Sequence, residues 1–191
     1  PARKLSARAQ VMLIIRRTME KRNLTLLTDL YELTMMNGYY LKGKTDEIAV
    51  FDVFFRRKEL ITYSIAAGLE QAVDYILGLS FGEEEIAYLR GLNLFDEGFL
   101  GYLKNLRFTG DVYSVPEGTM VFPGEPILTV KAPVIEAQLV ETAILNIINH
   151  QTLIATKSAK VCNAAKGDNV MEFGLRRAQG PDAGIYGARA A

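Results

Sequence analysis

The chain has 191 residues, of which 49% are hydrophobic and 23% charged, a composition typical of a globular protein. Basic and acidic residues number 22 each, so no net charge favours nucleic acid or an acidic membrane surface as a partner. The single cysteine, Cys162, excludes an internal disulfide, and no apolar run approaches the ~18 residues that span a bilayer. We expect a cytoplasmic protein without nucleic-acid or membrane partners, in which any anion binding is local.

The N-terminal segment, residues 1–22, is basic. It combines lysines and arginines with the apolar run VMLII, and Glu20 is its only acidic residue. This pattern predicts a basic amphipathic helix, which we interpret as an extension outside the main fold. A transit peptide, a membrane-surface helix and an upstream extension of the reading frame stay open as alternatives.

The next part of the chain predicts helices and one strand. Asp29 and Glu32 are spaced as a capping pair for a helix that runs through Tyr40. Residues 48–55, IAVFDVFF, are apolar on both faces and predict a strand buried between two layers. Apolar residues at helical spacing behind acidic starts predict three short helices, over residues 68–79, 83–92 and 96–106.

The second half changes its pattern several times. In residues 107–133 an alternating pattern is broken by prolines and glycines, which predicts short antiparallel strands with tight turns. Residues 135–165 predict one long helix, or two helices that meet near Asn149. An apolar strand is then predicted over residues 170–175, followed by a helix from Pro181. Because a strand and a helix are half of a βαβ unit, we expect a longer protein of which this is the first part.

The segment EFGLRRAQGPD, residues 172–182, carries the clearest chemical pattern. Arg176 and Arg177 follow the predicted strand and precede a predicted helix N-terminus. Guanidinium groups bind carboxylates and phosphates bidentately, and a helix N-terminus adds backbone donors. Ligands also bind at the carboxyl ends of parallel strands, so the pattern predicts an anion site. Alternatively, one arginine pairs with Glu172 or Asp182 and only orients the loop.

Four phrases occur in a specific order: TDLYELTMMNGYY at residues 28–40, FDVFFRRKEL at 51–60, QLVETAILNIINHQTLIATKSAK at 138–160, and EFGLRRAQGPDAG at 172–184. Together they resemble the nicotinate phosphoribosyltransferase family over residues 23–191. The resemblance implies an α/β fold: an α+β domain with a small β-rich part, residues 23–134, and then an irregular α/β barrel of type II phosphoribosyltransferases. Residues 135–191 would be the first part of that barrel.

The resemblance also implies site residues. Tyr31 matches an aromatic residue that crosses a homodimer interface and stacks on the pyridine ring, a contact suited to a flat, electron-poor ring. Phe173 matches the opposite face of the ring, with Arg176 near the ring substituent and Arg177 beside it. Which arginine binds nicotinate and which binds a phosphate stays open. Arg56 matches a residue that reaches the phosphates of phosphoribosyl pyrophosphate.

The activity implied is the joining of nicotinate to phosphoribosyl pyrophosphate, with coupled ATP hydrolysis, to give nicotinate mononucleotide in NAD salvage. Mg²⁺ would bind mainly through the substrate phosphates. The family's phosphorylated histidine is expected beyond Ala191, so we expect no catalytic residue in this chain and no activity from it alone. His150 does not match that histidine and is predicted to be a core or interface residue, as Cys162 is predicted to be a small core residue.

Three alternatives stay open. A nicotinamide- or quinolinate-using relative would differ mainly in what the arginines contact. Residues 110–133 resemble half of a biotinyl or lipoyl carrier domain with Lys131 at a strand end, although the motif of the carrier hairpin is missing. A non-catalytic module that only binds a ligand or assembles is the third alternative.

Overall fold

The computed structural model describes residues 22–56 and 62–191. Its helices are α1 (Leu30–Leu41), α2 (Leu69–Gly78), α3 (Glu83–Gly91), α4 (Glu97–Asn105), α5 (Val134–Ala165) and α6 (Pro181–Ala190), with a 3-10 helix at Leu175–Arg177. Its strands are β1 (Ile48–Val53), β2 (Ser64–Ile65), β3 (Asp111–Ser114), β4 (Met120–Val121) and β5 (Leu128–Pro133). This mixture of helices and sheet confirms the α/β class. The predicted basic helix lies outside the described residues, Arg22 excepted.

Two antiparallel sheets form, as residues 107–133 predict. In the larger sheet β5 is the central strand, with β1 and β3 as the edges, while β2 and β4 form a separate pair. Gly110 precedes β3, and a Cβ there would lie 2.3 Å from the Cβ of Ala132 on β5. Only glycine permits this close approach of the two strands.

Strand β1 differs from its prediction in burial. It was predicted to lie between two layers, but it is an edge strand, and Ile48 and Val50 are exposed on its outer face. The opposite face contributes Ala49 and Val53 to the packing against the core. Helix α5 covers the sheet on that one face. The apolar residues on the other face of β1 remain exposed, so the apolar pattern did not indicate a second covering layer.

Helix α5 is the central element of the core. It is one uninterrupted helix of 32 residues, which excludes the alternative of two helices. Its buried residues recur at helical spacing, and the helix contacts α1, α2, α6 and strands of both sheets. Side chains that are almost wholly buried in the core include Met36, Leu89, Phe99, Leu100, Leu103, Leu128, Ile135, Leu139 and Ile144.

Two threonines of α5 complete the hydrogen bonding of the short strand β2 and of Ala67, which follows it. The hydroxyl of Thr156 accepts a hydrogen bond from the Ile65 amide at 2.9 Å. The hydroxyl of Thr152 accepts from the Ala67 amide and donates to the Ala67 carbonyl, both at 3.2 Å. Because a strand of two residues has few strand partners, these hydroxyls satisfy backbone groups that burial would otherwise leave unpaired.

The start of α1 lies where Asp29 predicts it, but the predicted capping pair does not form. The carboxylate of Asp29 makes no hydrogen bond to the first turn. Glu32 is fully buried and instead accepts hydrogen bonds from the hydroxyls of Thr28 and Thr142, the latter at 3.0 Å. The contact with α5 therefore replaced the local capping interaction that the spacing predicted.

Two predictions near the end of α5 were wrong. Residues 170–174 are irregular, not a strand, because the described residues provide no partner strand for their backbone groups. Cys162 is exposed rather than a core residue, since the last turns of α5 extend beyond the elements that cover its middle. His150 is half-buried, and its Nε2 lies 3.3 Å from the carbonyl oxygen of Ala183 on α6.

Candidate functional site

Tyr31 lies in the first turn of α1 and is 53% exposed. Its neighbours Leu30 and Met35 are also exposed, so this end of α1 presents an apolar and aromatic surface. The nearby carboxylate of Glu32 is the main cause that raises the pKa of Tyr31. The phenol is therefore neutral at physiological pH, which suits stacking on a flat ring.

A group of carboxylates surrounds this tyrosine, and we call Asp29, Glu32 and Glu141 the acidic cluster. The hydroxyl of Thr142 on α5 donates to Glu32 and, at 3.3 Å, to Asp29. Partial burial, followed by the charges of Glu32 and Asp29, raises the pKa of Glu141. Sequence reasoning missed Glu141 because its proximity depends on the packing of α5 against α1. A ligand carboxylate near Tyr31 therefore needs a cation from another element.

Arg56 is exposed and follows the end of β1. It lines a cleft of about 470 Å³ between the end of β1 and α5, a volume in the range of small-molecule sites. The other lining residues include Phe54, Phe55, Ser64, Asn146, Asn149, Thr152 and Leu153. Arg57 and Lys58, the rest of the basic triplet, lie outside the described residues.

Sequence reasoning missed the two asparagines of this cleft. Asn146 and Asn149 are one helical turn apart on α5 and both are exposed. Side-chain amides are donors that suit anionic oxygens, so with Arg56 they supply several donors along one wall. Their spacing of three residues was a usable signal, but only the packing of α5 against β1 brings them near Arg56.

The segment around the two arginines is exposed. Phe173 is 70% exposed, and Arg176 and Arg177 lie in the 3-10 helix, not at a strand end as predicted. Among the described residues neither arginine pairs with Glu172 or Asp182: the carboxylate of Glu172 accepts from the Gly174 amide, and Asp182 pairs with Arg22. The structure thus gives no support to the alternative in which those ion pairs orient the loop.

Helix α6 supports this segment. Pro181 is its first residue, after Gly180, whose φ of +99° lies in the region that favours glycine. Gly184 packs against Leu175 so closely that a Cβ would lie 2.4 Å from the Leu175 side chain. With His150 near the Ala183 carbonyl, the 3-10 helix and α6 form one unit against α5.

The predicted site residues occupy three separate places: Tyr31 on α1, Arg56 after β1, and residues 173–177 beside α6. Within residues 22–56 and 62–191 no hydrogen bond or ion pair joins these three groups. The same described ranges contain no group of three His, Cys, Asp or Glu side chains that could hold a metal ion, and no helix long and apolar enough to cross a membrane. A single chain therefore presents an aromatic surface at Tyr31 and two separate cationic surfaces, at Arg56 and at residues 173–177.

The fold occurs in solved structures of known enzymes. A crystal structure of human nicotinic acid phosphoribosyltransferase matches with a TM-score of 0.76 and 34% identity, covering 84% of this chain and 33% of that one. A nicotinate-nucleotide pyrophosphorylase from Pyrococcus furiosus shares the fold, with a TM-score of 0.65 at 20% identity over 89% of this chain and 38% of that one. The fold class is therefore the α/β fold of these enzymes.

Sequence comparison identifies the family. Residues 26–149 match the model of the nicotinate phosphoribosyltransferase N-terminal domain. A nicotinate phosphoribosyltransferase of Mycobacterium tuberculosis is 47% identical over 165 residues, 86% of this chain and 35% of the relative. One from Bacillus subtilis is 45% identical over 170 residues, 88% of this chain and 35% of the relative. The chain belongs to the nicotinate phosphoribosyltransferase family and spans about a third of the length of these relatives.

Proposed function

We propose that the complete protein joins nicotinate to phosphoribosyl pyrophosphate, with coupled ATP hydrolysis, and forms nicotinate mononucleotide and pyrophosphate in NAD salvage. Membership of the family carries this proposal. The exposed Phe173, Arg176 and Arg177 beside the N-terminus of α6 support it, because this group offers a ring surface and two cations without an ion-pair partner among the described residues.

The chemistry requires a held ring and a stabilised leaving group. The pyridine nitrogen attacks the anomeric carbon of the ribose while pyrophosphate departs. In our proposal Tyr31 and Phe173 hold the two faces of the ring, and one of the adjacent arginines binds the carboxylate. Arg56 binds phosphate oxygens, with the amides of Asn146 and Asn149 as further donors. The acidic cluster repels the carboxylate of nicotinate, and this repulsion orients that carboxylate toward the arginines.

Mg²⁺ and ATP belong to the proposal for the whole protein. The described residues do not fit a dedicated metal site, since no suitable cluster of ligands is present among them. We propose that Mg²⁺ enters with the substrate phosphates, and no step here passes through it. We assign no catalytic residue to this chain.

We also propose a homodimer. Tyr31 and the arginines lie on separate elements, and within the described ranges no hydrogen bond or ion pair joins them. Tyr31 is exposed beside other apolar residues. In a symmetric dimer the tyrosine of one protomer reaches the ring bound by the arginines of its partner. A cytoplasmic location accords with this function and stays part of the proposal.

The proposal is tested by assaying the complete gene product with nicotinate, phosphoribosyl pyrophosphate and Mg-ATP. Nicotinate mononucleotide is expected, and nicotinamide and quinolinate are expected to be poor substrates. Tyr31→Ala should raise the KM for nicotinate about two- to tenfold, since aromatic stacking contributes about 0.5–1.5 kcal/mol. Tyr88→Ala, at an exposed tyrosine of α3, serves as the matched control and should leave the KM unchanged.

Separate substitutions assign the two arginines. Of Arg176→Ala and Arg177→Ala, one should raise the KM for nicotinate and the other the KM for phosphoribosyl pyrophosphate. No product from nicotinate, with product from nicotinamide or quinolinate, would contradict the proposed substrate. No product from any of the three pyridines would contradict the enzyme assignment and favour a binding module.

A further inference from the structure

Arg189, in the last turn of α6, is the centre of a polar network that the family resemblance does not assign. Its Nη2 donates to Glu117 Oε2 at 2.6 Å and to Glu70 Oε2 at 3.0 Å. Its Nη1 donates to Gln151 Oε1 at 3.1 Å and to Glu117 Oε1 at 3.2 Å. Only 22% of the Arg189 side chain is exposed. We call Arg189, Glu70, Glu117 and Gln151 the Arg189 network.

The acceptors of Arg189 are themselves held by other elements. Glu117, between β3 and β4, accepts hydrogen bonds from the amides of Gly68 at 2.6 Å and Leu69 at 2.9 Å, at the start of α2. Gln151 of α5 is 1% exposed and donates to Gln71 of α2 at 2.7 Å. The guanidinium therefore joins α6 to α2, to α5 and to the segment between β3 and β4.

The other end of α6 is also held by an ion pair, between Asp182 and Arg22. Between the two ends, Gly184 packs against Leu175, which begins the 3-10 helix. The position of that 3-10 helix thus depends on the position of α6. The side chains proposed to bind the ligand, by contrast, are exposed and make no ion pair within the described ranges.

We propose that Arg189 is a positioning residue: by fixing α6, it sets where Phe173, Arg176 and Arg177 stand, without touching the ligand itself. This inference rests on the proposed function of those three residues. A displacement of about 1 Å in a binding group can cost up to about 100-fold in activity, so a fixed helix has a direct effect on ligand binding.

The geometry predicts how substitutions rank. A guanidinium presents several donors in one plane and contacts three side chains here, whereas a lysine ammonium is a compact charge on a flexible stem. Arg189→Lys keeps the charge but loses the multiple contacts, so it should restore only part of the function. Arg189→Gln removes both the charge and the planar fork.

The test uses the complete gene product and two measurements. In Arg189→Gln we expect the KM for nicotinate to rise about tenfold, with kcat within about twofold, because binding geometry is altered and no reacting group is removed. Hydrogen exchange of the peptide 172–187 should become faster, with exchange in β5 unchanged. Arg189→Lys should lie between wild type and Arg189→Gln in both measurements.

Arg90→Gln is the matched control. Arg90 makes a similar two-contact pair with Glu97, at 2.8 and 3.0 Å, but on α3, whose main contact is with α4. This variant should retain the wild-type KM and the wild-type exchange of the peptide 172–187. An equal rise of the KM in the control would overturn the positioning role.

Other results separate the two proposals. Wild-type KM and exchange in Arg189→Gln overturn the inference, as does faster exchange that spreads over α2 and α5, because that pattern shows a general loss of stability. If Arg189→Gln does not fold, Glu70→Gln removes the negative charge of one partner of Arg189 and is judged by the same criteria. If the wild type makes no nicotinate mononucleotide, the proposed function fails, while exchange confined to residues 172–187 still supports the fixation of this segment by Arg189.

Discussion

At the scale of single residues, two glutamates of the fold have pKa values shifted in opposite directions. Glu141 lies near Glu32 and Asp29, and its burial followed by their charges raises its pKa. Burial alone would also raise the pKa of Glu117, but the hydrogen bonds from Arg189 and from the amides at the start of α2 outweigh it and lower the pKa. The partners that packing brings to each carboxylate, which the sequence does not display, decide the direction: a guanidinium and two amides for Glu117, and two like charges for Glu141.

The raised pKa of Glu141 predicts that Glu141→Gln stabilises the protein at neutral pH. In the fold the ionised carboxylate is disfavoured, so the stability of the wild type falls as the pH rises from the ordinary pKa of 4.5 through the raised one. The gain should be about 0.5 kcal/mol at pH 7, because solvent screens this partly exposed group. It should vanish below about pH 4, where both states are protonated.

Denaturant unfolding at pH 7 and at pH 4 measures this difference. Glu84→Gln is the control, since Glu84 is an exposed glutamate on α3, away from the acidic cluster. A variant at position 141 that is less stable than wild type at pH 7 would contradict the prediction.

At the scale of elements, local patterns located the helices and non-local packing decided the strands. Helices α2, α3 and α4 begin and end within one residue of their predicted bounds, because their apolar spacing and acidic starts are local signals. Two predictions about strands were wrong, the strand at residues 170–175 and the burial of β1 on both faces. Both depend on which neighbouring element a segment packs against, and the sequence of one segment does not specify its neighbour.

The candidate site divides in the same way. The family phrases identify Tyr31, Arg56 and the two arginines as candidate site residues, although not their positions in the fold. Asn146 and Glu141 could not be identified, because only the crossing of α5 over β1 and α1 brings them near the others. The placement of the two arginines beside α6 instead of at a strand end likewise depends on Gly184 and Leu175 meeting, a contact between distant parts of the segment.

The contact between α5 and Ala67, just after β2, gives a prediction at this scale. Thr152→Val keeps the shape of the side chain but leaves the amide and carbonyl of Ala67 without their partner. An unsatisfied buried backbone group costs about 1–3 kcal/mol, so the free energy of unfolding should fall by about this amount. Thr34→Val is the control, because the Thr34 hydroxyl donates to the Tyr31 carbonyl at an exposed position.

Chemical denaturation of both variants measures the difference. The control should change stability by less than about 0.5 kcal/mol, as exposed substitutions usually do. Equal stability of Thr152→Val and wild type would show that the segment after β2 does not depend on the Thr152 hydroxyl.

At the scale of the whole molecule, the exposed surface of α1 suggests self-association. Leu30, Tyr31 and Met35 are exposed within two turns of one helix. Exposed apolar patches mark interaction sites more often than isolated apolar residues do. In the proposed dimer this surface is covered by the partner, and the tyrosine reaches the partner's ligand.

We therefore expect the complete gene product to be a dimer at micromolar concentration. Leu30→Lys with Met35→Lys should weaken the dimer at least about tenfold and lower activity in parallel, since the tyrosine acts across the interface. Light scattering after size-exclusion chromatography measures the mass. Leu77→Lys, at a leucine of α2 that is 80% exposed, is the control and should remain dimeric. A monomeric wild type with full activity would contradict the expectation.

The central position of β5 has a consequence for the synthesis of the protein. Neither edge strand pairs with the other, and Ile48 of β1 meets its partner Pro133 only after the intervening helices have emerged. Strand β5 then passes without a loop into α5, whose buried side covers the sheet. On the ribosome β1 must remain unpaired until that point, so the sheet assembles late, and its apolar residues are a natural target for chaperones during translation.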